Sequence, residues 1–416
     1  MKNVSTRIII AALFVLVAGL LPLVFPYSLL KPSLESRLGQ TLHSKVEIGK
    51  IHFSFLPKPA FRLEQVTIDS ADAAQIKQVV IPTTLRNLLG FGRALHEVKL
   101  VEPVFSRPFA LGLTDRLASE SPLRLGELAL ENIVIRTEQG ALGPFTAEIA
   151  FKADHRLDTV TAHLAGGKAE LQIQPAGPGN FTVIFSAKNW QLPFAHAVNF
   201  EYINMTGQAN SERLQITDIR AGLYNGLVTG NGQLLWNGRW QLSGQLQARN
   251  IRAEPLIAVF SPVTRATGLL QGEGSFRFNA DHYARLFDTP QLQGRFTLVD
   301  GLLHNIDLIT PLKSSSPEIV RHGGQTSFNL LRGTLAVQGK AVSLRAVHLD
   351  AGKFRANGDL LVRDGKLSGG AASTLSAGSM TASNQVTLSG TLDSPELRSG
   401  GAWRPASGRD PEPAAQ

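Results

Sequence analysis

Histidine and carboxylate side chains are the residues of this chain best able to do chemistry, as metal ligands or as acids and bases. The ten histidines are scattered without an H-E-x-x-H pair, and the chain has no cysteine. A zinc site would therefore need ligands gathered from distant strands. The carboxylates fall at strand ends and turns, where a glycosidase-like pair stays open as an alternative although no two residues are singled out. The pattern predicts no metal, no cofactor and no catalytic set.

Three short motifs resemble catalytic or phosphate-binding sequences, and each lacks a required part. Residues 28–31 match the S-x-x-K of penicillin-binding serine enzymes, but no S-D-N or K-T-G accompanies them. Residues 166–168 are Gly-Gly-Lys, yet Ala169 follows where a phosphate loop needs Ser or Thr. The Gly-Glu-Gly of residues 272–274 opens no helix, so we predict a hairpin turn there and not a dinucleotide cradle. The sequence therefore favours a protein that is not an enzyme.

The elements that would position any site are strands with one apolar face. Two apolar residues one apart, a gap of two, and two more apolar residues recur along the chain. Alternation at period two is typical of a strand that is apolar on one face, and the extra residue returns the second half to that face through a bulge or break. The pattern occurs at Val46-Ile48-Ile51-Phe53, Phe61-Leu63-Val66-Ile68, Ile76-Val79-Ile81, Leu123-Leu125-Leu128-Leu130, Val198-Phe200-Ile203-Met205, Leu214-Ile216-Ile219 and Val342-Leu344-Val347-Leu349.

A charged start and an apolar run open the chain. Lys2 and Arg7 lie before residues 8–25, which are apolar apart from Gly19 and Pro22. At about 1.5 Å per residue this run covers roughly 27 Å, close to a hydrocarbon core of about 30 Å. A cleaved signal peptide is the alternative, but no small-x-small cleavage site follows. We therefore expect a retained single-pass anchor, with the N-terminus in the cytoplasm and the rest of the chain on the other side.

The net charge of +8 could suggest nucleic acid as a partner. The basic residues are dispersed, however, and no nucleic-acid-binding motif accompanies them, so we exclude that class. Residues 31–62 hold six Lys or Arg against two Glu, directly beside the expected anchor. Anionic lipid headgroups and a merely solvated surface are the two interpretations of that cluster.

Short helices are predicted at three places. A leucine repeat behind Pro32 predicts an amphipathic helix of about three turns, lying against the membrane or plugging the start of the sheet. A second helix is expected at residues 82–95 and a third at residues 254–260. The leucines that carry the first two are Leu30, Leu34, Leu38 and Leu42, then Leu85, Leu88, Leu89 and Leu95.

Beyond residue 121, short alternating segments separated by turn residues, such as Asn231-Gly232, predict strands. Residues 213–235 and 341–361 echo each other, which indicates a sheet that grows by adding hairpins. The predicted fold is mainly β: an N-terminal transmembrane helix followed by a long, curled antiparallel β-sheet forming an open groove, with a few short helices. The predicted domains are residues 1–28 (cytoplasmic tip and anchor), 29–120 (membrane-proximal helix and strands), 121–200 (β-rich middle), 201–398 (C-terminal sheet) and 399–416 (disordered tail).

One-sided strands need a cover for their apolar face, and two covers are possible. A second sheet would make a β-sandwich, whereas lipid tails would fill an open groove. The residues expected on the floor of such a groove are Phe53, Phe61, Leu63, Val66, Leu214, Ile216, Phe276, Phe278, Phe296, Leu298, Leu335 and Val337.

The order of motifs resembles the AsmA family of envelope proteins over residues 5 to 398, least so over 145–195. The N-terminal part is similar in VEIGKIHFSFLPKPAFRLEQVTI and IPTTLRNLLGFGRALHEVKLVEP, and the C-terminal part in LQGRFTLVDGLLHNIDL, LRGTLAVQGKAVSLRAVHLDAGKFRANGDLLV and VTLSGTLDSPEL. The resemblance implies a bacterial inner-membrane anchor carrying a periplasmic β-rich groove, related to bridge-like lipid transfer proteins.

These expectations lead to one functional hypothesis and two alternatives. The leading hypothesis is a non-enzymatic, membrane-anchored periplasmic protein that binds or transports phospholipid between envelope membranes and contributes to outer-membrane biogenesis. Its partners would be phospholipid, the inner membrane and outer-membrane or other envelope proteins. The alternatives are a structural assembly component, such as one resembling the N component of type II secretion systems, and an anchored carbohydrate-active enzyme with two carboxylates within about 10 Å.

Overall fold

The computed structural model describes the greater part of the chain. The described residues are 26–89, 94–118, 124–137, 140–154, 156–191, 198–259, 263, 265–313, 319–321 and 323–400. This part is mainly β and divides into two compact units, residues 1–184 and 185–416. The apolar run predicted as an anchor, residues 8–25, lies outside it. Within the described residues, no helix has both the length and the apolar character needed to cross a bilayer.

The first unit is a sheet whose described strands pair in chain order. Each strand is antiparallel to the next, except that β4 and β5 are parallel. The strands are β1 Val46–Ser54, β2 Ala60–Ile68, β3 Ala74–Pro82, β4 Ala94–Ser106, β5 Arg124–Thr137, β6 Gly140–Phe151, β7 Leu157–Leu164 and β8 Ala169–Gly177; the helices are α1 Lys31–Leu42, α2 Leu85–Leu89 and α3 Arg107–Ala118.

The leucine repeat forms helix α1, as predicted. Of the two placements expected, the helix covers the start of the sheet, because its leucines pack against the core of the first unit. The Glu35 carboxylate accepts a hydrogen bond from the Ile48 N–H at 2.7 Å, which ties the helix to β1. The chain leaves the helix through His43, whose φ of 50° is left-handed. The packed leucines are Leu34, Leu38 and Leu42.

The helix predicted at residues 82–95 is wrong in extent. Among its described residues Leu85–Leu89 is helical, and Leu95 belongs to β4. Asn87 explains why the helix cannot reach Leu95. Its buried side-chain amide donates to the carbonyls of Pro82 and Glu97, and its oxygen accepts from the N–H groups of His96 and Glu97. The chain must turn back into a strand for these backbone groups to reach Asn87.

The parallel pair β4–β5 corrects the expectation of a purely antiparallel sheet. Parallel neighbours need a connection that crosses over the sheet, and a hairpin cannot provide it. Helix α3 lies in that connection. Phe109 at its start is buried and stacks on Phe105 of β4, with ring centroids 5.4 Å apart. No pattern in the sequence predicted this helix.

The second unit is also a sheet of mostly consecutive antiparallel strands, and the unit boundary falls within β9. Strands β10 to β13, β15, β16 and β18 to β23 pair in this order, while β14 pairs with β16 and β17 with β23. The strands are β9 Asn180–Gln191, β10 Asn199–Ala209, β11 Arg213–Leu223, β12 Gly226–Leu235, β13 Trp240–Arg252, β14 Arg265–Ala266, β15 Leu269–Ala280, β16 Gln291–His304, β17 Ile319–Arg321, β18 Gln325–Gln338, β19 Ala341–Ala351, β20 Phe354–Arg363, β21 Lys366–Ala377, β22 Met380–Gly390 and β23 Pro395–Ser399; the helices are α4 Ala253–Ala258 and α5 Thr310–Lys313.

Two predicted boundaries shift in this unit. The helix expected at residues 254–260 is α4, which begins one residue earlier. Ser399 is buried and ends β23, so it is not part of a disordered tail. Residues 401–416, predicted to be disordered, lie outside the described residues.

Two breaks in the recurring apolar pattern contain a residue with left-handed backbone just before the second apolar pair: Gln65, with φ 53°, and Ala346, with φ 48°. The strand register shifts across Ala346. A similar shift, between Leu130 and Ile133, occurs at Asn132, with φ 56°, just after the predicted pattern of residues 123–130. The predicted bulge or break is confirmed at Gln65 and Ala346, where it keeps both halves of a strand on one face.

The echo between residues 213–235 and 341–361 corresponds to two hairpins of the same design. Both β11–β12 and β19–β20 close through a two-residue turn. Both also shift register inside the apolar pattern, the first between Ile216 and Ile219 and the second between Leu344 and Val347. Repeated hairpins with a repeated bulge therefore build this part of the sheet.

We predict that Ala346→Gly stabilises the second unit. A left-handed backbone costs an L-residue about 1–2 kcal/mol, which exceeds the entropy cost of glycine of about 0.5–1 kcal/mol. Urea unfolding should show a gain of roughly 0.5–1 kcal/mol. The matched control is Ala336→Gly in regular strand backbone, which should lose a similar amount. A lower free energy of unfolding in both variants would contradict the left-handed backbone of Ala346.

We predict that Asn87→Ala destabilises the first unit by about 3 kcal/mol, because several buried backbone groups lose their partners. Thermal and urea unfolding measure the change. Asn180→Ala is the control, since Asn180 makes one exposed side-chain bond, to the Pro178 carbonyl. Equal effects of the two substitutions would show that the Asn87 contacts do not bear on stability.

Candidate functional site

Backbone pairing places the apolar residues of the second unit in cross-strand rows on one face of its sheet. Leu214, Leu234, Leu242 and Phe278 form one row, and Ile216, Gly232, Gly244, Phe276, Leu292 and Val337 form the next. Directly paired residues of antiparallel strands point to the same side. All eight predicted floor residues of this unit therefore share this apolar face: Leu214, Ile216, Phe276, Phe278, Phe296, Leu298, Leu335 and Val337.

Two loops cover parts of this face. The loop after β15 places Leu286 and Phe287 on a cluster around Phe276 and Phe278, and the rings of Phe278 and Phe287 lie 5.2 Å apart. We call this group the Phe276 cluster. Its further members are Leu234, Trp240, Leu242, Leu246 and Leu292.

The segment after β16 covers a second group, which we call the Phe328 cluster. Leu308, Ile309 and Leu312 pack onto Leu298, Phe328, Leu349 and Phe354. The segment is held by the buried hydroxyl of Thr326, which donates to the Ile306 carbonyl at 2.9 Å and accepts from the Leu308 N–H at 3.0 Å. Protein therefore covers this part of the apolar face too.

Among the apolar residues of the same face that lie outside both clusters, six are neighbours on three adjacent strands. They form two paired rows across β18, β19 and β20, and every one of them is only half-buried. Three strands at about 4.8 Å spacing make this surface roughly 10 Å wide. We call it the open strip: Leu335, Leu344 and Leu360 in one row, and Val337, Val342 and Val362 in the other.

The twelve predicted floor residues fall into different environments. In the first unit Leu63 and Val66 are core residues under protein, while Phe53 and Phe61 are half-buried with their rings 5.1 Å apart. In the second unit only Leu335 and Val337 belong to the open strip. The strip residues Val342, Leu344, Leu360 and Val362 were not predicted as floor, although their alternation was visible. Pairing between strands was the missing information.

Glycines shape the same face, and they correct two predicted turns. Residues 272–274 and Asn231-Gly232 lie inside β15 and β12 and do not form hairpin turns. Neighbouring backbones approach so closely here that a Cβ on Gly244 would overlap the Asn231 carbonyl oxygen and lie 2.7 Å from the Phe276 ring. Glycine is therefore a packing residue in these strands, because it makes room for Phe276.

The opposite face of the sheet is polar and borders a cavity of about 1370 Å³. Gln245, Gln247, Gln293 and Arg295 line it, and the backbone row of Leu335, Leu344 and Leu360 borders it too. Phe276, Phe296 and the Val337 row of the apolar face do not line it. Because side chains alternate, the cavity lies on the polar face.

Two carboxylates line this cavity, Glu273 and Asp359. Strands β16, β18 and β19 lie between them, so they stand roughly 19 Å apart along the sheet at about 4.8 Å per strand. Glycosidase pairs stand about 5–9.5 Å apart. Asp359 also accepts a hydrogen bond from the Ala346 N–H at 2.8 Å. Measured along the sheet, this spacing is wider than that of a glycosidase pair.

The described residues bring no three His, Asp or Glu side chains together as a possible metal site.

An exposed ion pair joins Lys45 and Glu47, with Nζ and Oε1 2.6 Å apart. Their hydrogen bond lowers the pKa of Glu47 and raises the pKa of Lys45. The pair therefore stabilises the charged forms of Lys45 and Glu47. It lies on the first unit, whereas the open strip belongs to the second.

Comparison with known proteins finds no family model, no curated protein and no solved structure that matches this chain. The account of its function therefore depends on the residues themselves.

We predict that Gly244→Ala destabilises the second unit by about 2 kcal/mol, because the new Cβ must displace the backbone of β12 or the Phe276 ring. Gly333→Ala is the control, since its Cβ would meet Phe296 and the Arg345 carbonyl oxygen at 3.2 Å, where a small shift suffices. Chemical denaturation should separate the two variants. Similar stability of both would contradict the close approach of β12 and β13.

Proposed function

We propose that this chain is a non-enzymatic lipid-binding protein that carries phospholipid between the membranes of a bacterial envelope. The observation that supports the proposal is the open strip. Its six apolar side chains stay partly in water although loops cover other parts of the apolar face. A contiguous apolar surface that stays partly exposed is a common mark of a binding site for an apolar ligand.

An acyl chain suits the strip better than a rigid apolar ligand. The surface consists only of Leu and Val side chains, which offer dispersion contacts but no polar group to fix one orientation. Each CH2 removed from water contributes about 0.8 kcal/mol, so the few methylenes that fit across roughly 10 Å contribute a few kcal/mol. Binding of that strength is reversible. A charged headgroup would remain in water.

The proposal also includes the cellular location of the chain and its partners. The apolar residues 8–25 would anchor the chain in the inner membrane, and both units would lie in the periplasm, with the inner membrane, phospholipid and outer-membrane or other envelope proteins as partners. The resemblance to the AsmA family supports the same assignment. Transfer along an apolar surface needs no catalytic residue, so the proposed protein is not an enzyme.

The test compares two neighbouring residues that point to opposite faces. Leu335→Glu places a charge on the open strip, whereas Thr334→Glu places the same charge on the polar face. We expect phospholipid that co-purifies with the protein, measured by mass spectrometry, to fall about tenfold in Leu335→Glu and to change less than about twofold in Thr334→Glu. Unfolding curves of both variants establish that they are folded.

Two results would contradict the proposal. One is an unmodified protein that carries no phospholipid, and the other is an equal lipid content in both variants. Stoichiometric recovery of secretion-system proteins without lipid would instead favour the assembly-component alternative.

A further inference from the structure

Five large apolar side chains are exposed together on the first unit. They come from the 3₁₀ turn Tyr27–Leu30, the β1–β2 turn and the start of α2. Leu56 is 80% exposed, and Leu29 and Leu85 are each 73% exposed. We call this group the apolar tip: Leu29, Leu30, Phe55, Leu56 and Leu85.

Contacts between the three segments place the apolar tip at one end of the sheet. The Tyr27 ring lies 5.8 Å from the ring of Phe61 in β2, which links the 3₁₀ turn to the hairpin. The ring of Phe55 packs edge-on against Phe53 at 5.0 Å. The Thr83 N–H and hydroxyl both donate to the Pro59 carbonyl, at 3.0 and 2.9 Å, which holds the segment before Leu85 beside the hairpin.

The charge of the three segments themselves has one sign, although Lys31 also pairs with Glu35 of α1, with Nζ and Oε1 3.8 Å apart. Residues 26–31, 54–62 and 82–86, which form the three segments, contain four basic residues and no acidic one. Basic residues beside exposed apolar side chains are the usual composition of a surface that enters the headgroup region of an anionic bilayer. The four are Lys31, Lys58, Arg62 and Arg86.

The position of the apolar tip in the chain also indicates a bilayer as its partner. The apolar run of residues 8–25 ends directly before the 3₁₀ turn, so any bilayer that takes up this run lies within a residue or two of Tyr27. The two prolines that flank Lys58 also stiffen the β1–β2 turn, so inserting it costs little conformational entropy.

We propose that the apolar tip is a second membrane contact: Phe55, Leu56, Leu29 and Leu85 insert into the outer part of a bilayer that contains anionic lipid, with the basic side chains at the headgroups. This contact lies in the first unit and goes beyond the lipid surface proposed in the second. It would hold the first unit directly on the membrane, so that its orientation does not depend on a single helix.

The absence of cysteine from the chain makes a direct test possible. The full chain carrying Leu56→Cys, labelled with an environment-sensitive fluorophore, is reconstituted in vesicles of phosphatidylethanolamine and phosphatidylglycerol. The matched control is Asp72→Cys, which places the label in the β2–β3 turn at the other end of the same strands. Lipids with a quencher on the acyl chain report the depth of each label.

We expect the label at position 56 to be quenched at least about twofold more than the label at position 72, with a blue-shifted emission. Adding Lys58→Glu and Arg86→Glu should reduce that difference by about half or more, since headgroup attraction is lost. Equal quenching at positions 56 and 72 on vesicle-bound protein would overturn the proposal. So would a difference that the charge reversals leave unchanged. Neither outcome depends on whether the open strip binds lipid.

Discussion

Side chains on a strand alternate between two faces, so one inserted residue turns everything that follows to the wrong side. The apolar surfaces of both units depend on how the chain meets this constraint. At Gln65, Asn132 and Ala346 a residue in left-handed conformation absorbs the insertion and returns the next apolar pair to the face of the first. Without these breaks Leu63 and Val66 could not both be core residues, and Leu344 and Leu349 could not share a face.

A sheet with one continuous apolar face must then cover that face or leave it exposed. In the first unit, helix α1 and the connection through α3 cover it, and the core contains deeply buried residues such as Ile48 and Leu130. In the second unit the loops after β15 and β16 cover separate parts of the face around Phe276 and Phe328. The residues of the open strip, among them Leu335 and Val337, stay half-buried. The proposal of a lipid ligand depends on this incomplete cover.

Much of the fold could be predicted because it depends on local pattern. The alternation, the leucine repeat of α1 and the repeated hairpins were visible in the sequence, and the structure contains them. What the sequence did not reveal depends on distant partners. The predicted helix cannot reach Leu95 because His96 and Glu97 return to the Asn87 side chain, and β4 and β5 are parallel because α3 crosses between them. The glycines of residues 272–274 look like turn residues until the neighbouring strand is known to touch them.

The candidate surface was predictable in kind but not in extent. Eight predicted residues of the second unit do share one face, since alternation alone fixes the face of each strand. Which of them stay accessible depends on where the loop with Leu286 and the segment with Leu308 pack on the sheet. No local sequence pattern specifies those packing positions. Phe278 and Leu298 were therefore expected on an open floor but are covered by protein, whereas Leu344 and Leu360 are on the strip.

Site-specific photo-crosslinking in living cells tests the central claim most directly. A photoreactive amino acid replaces Leu344 on the open strip or Ser343, its neighbour on the polar face. The account predicts phospholipid crosslinked to the protein at position 344 and little or none at position 343. Crosslinking of lipid at both positions alike, or of protein alone at position 344, would contradict it.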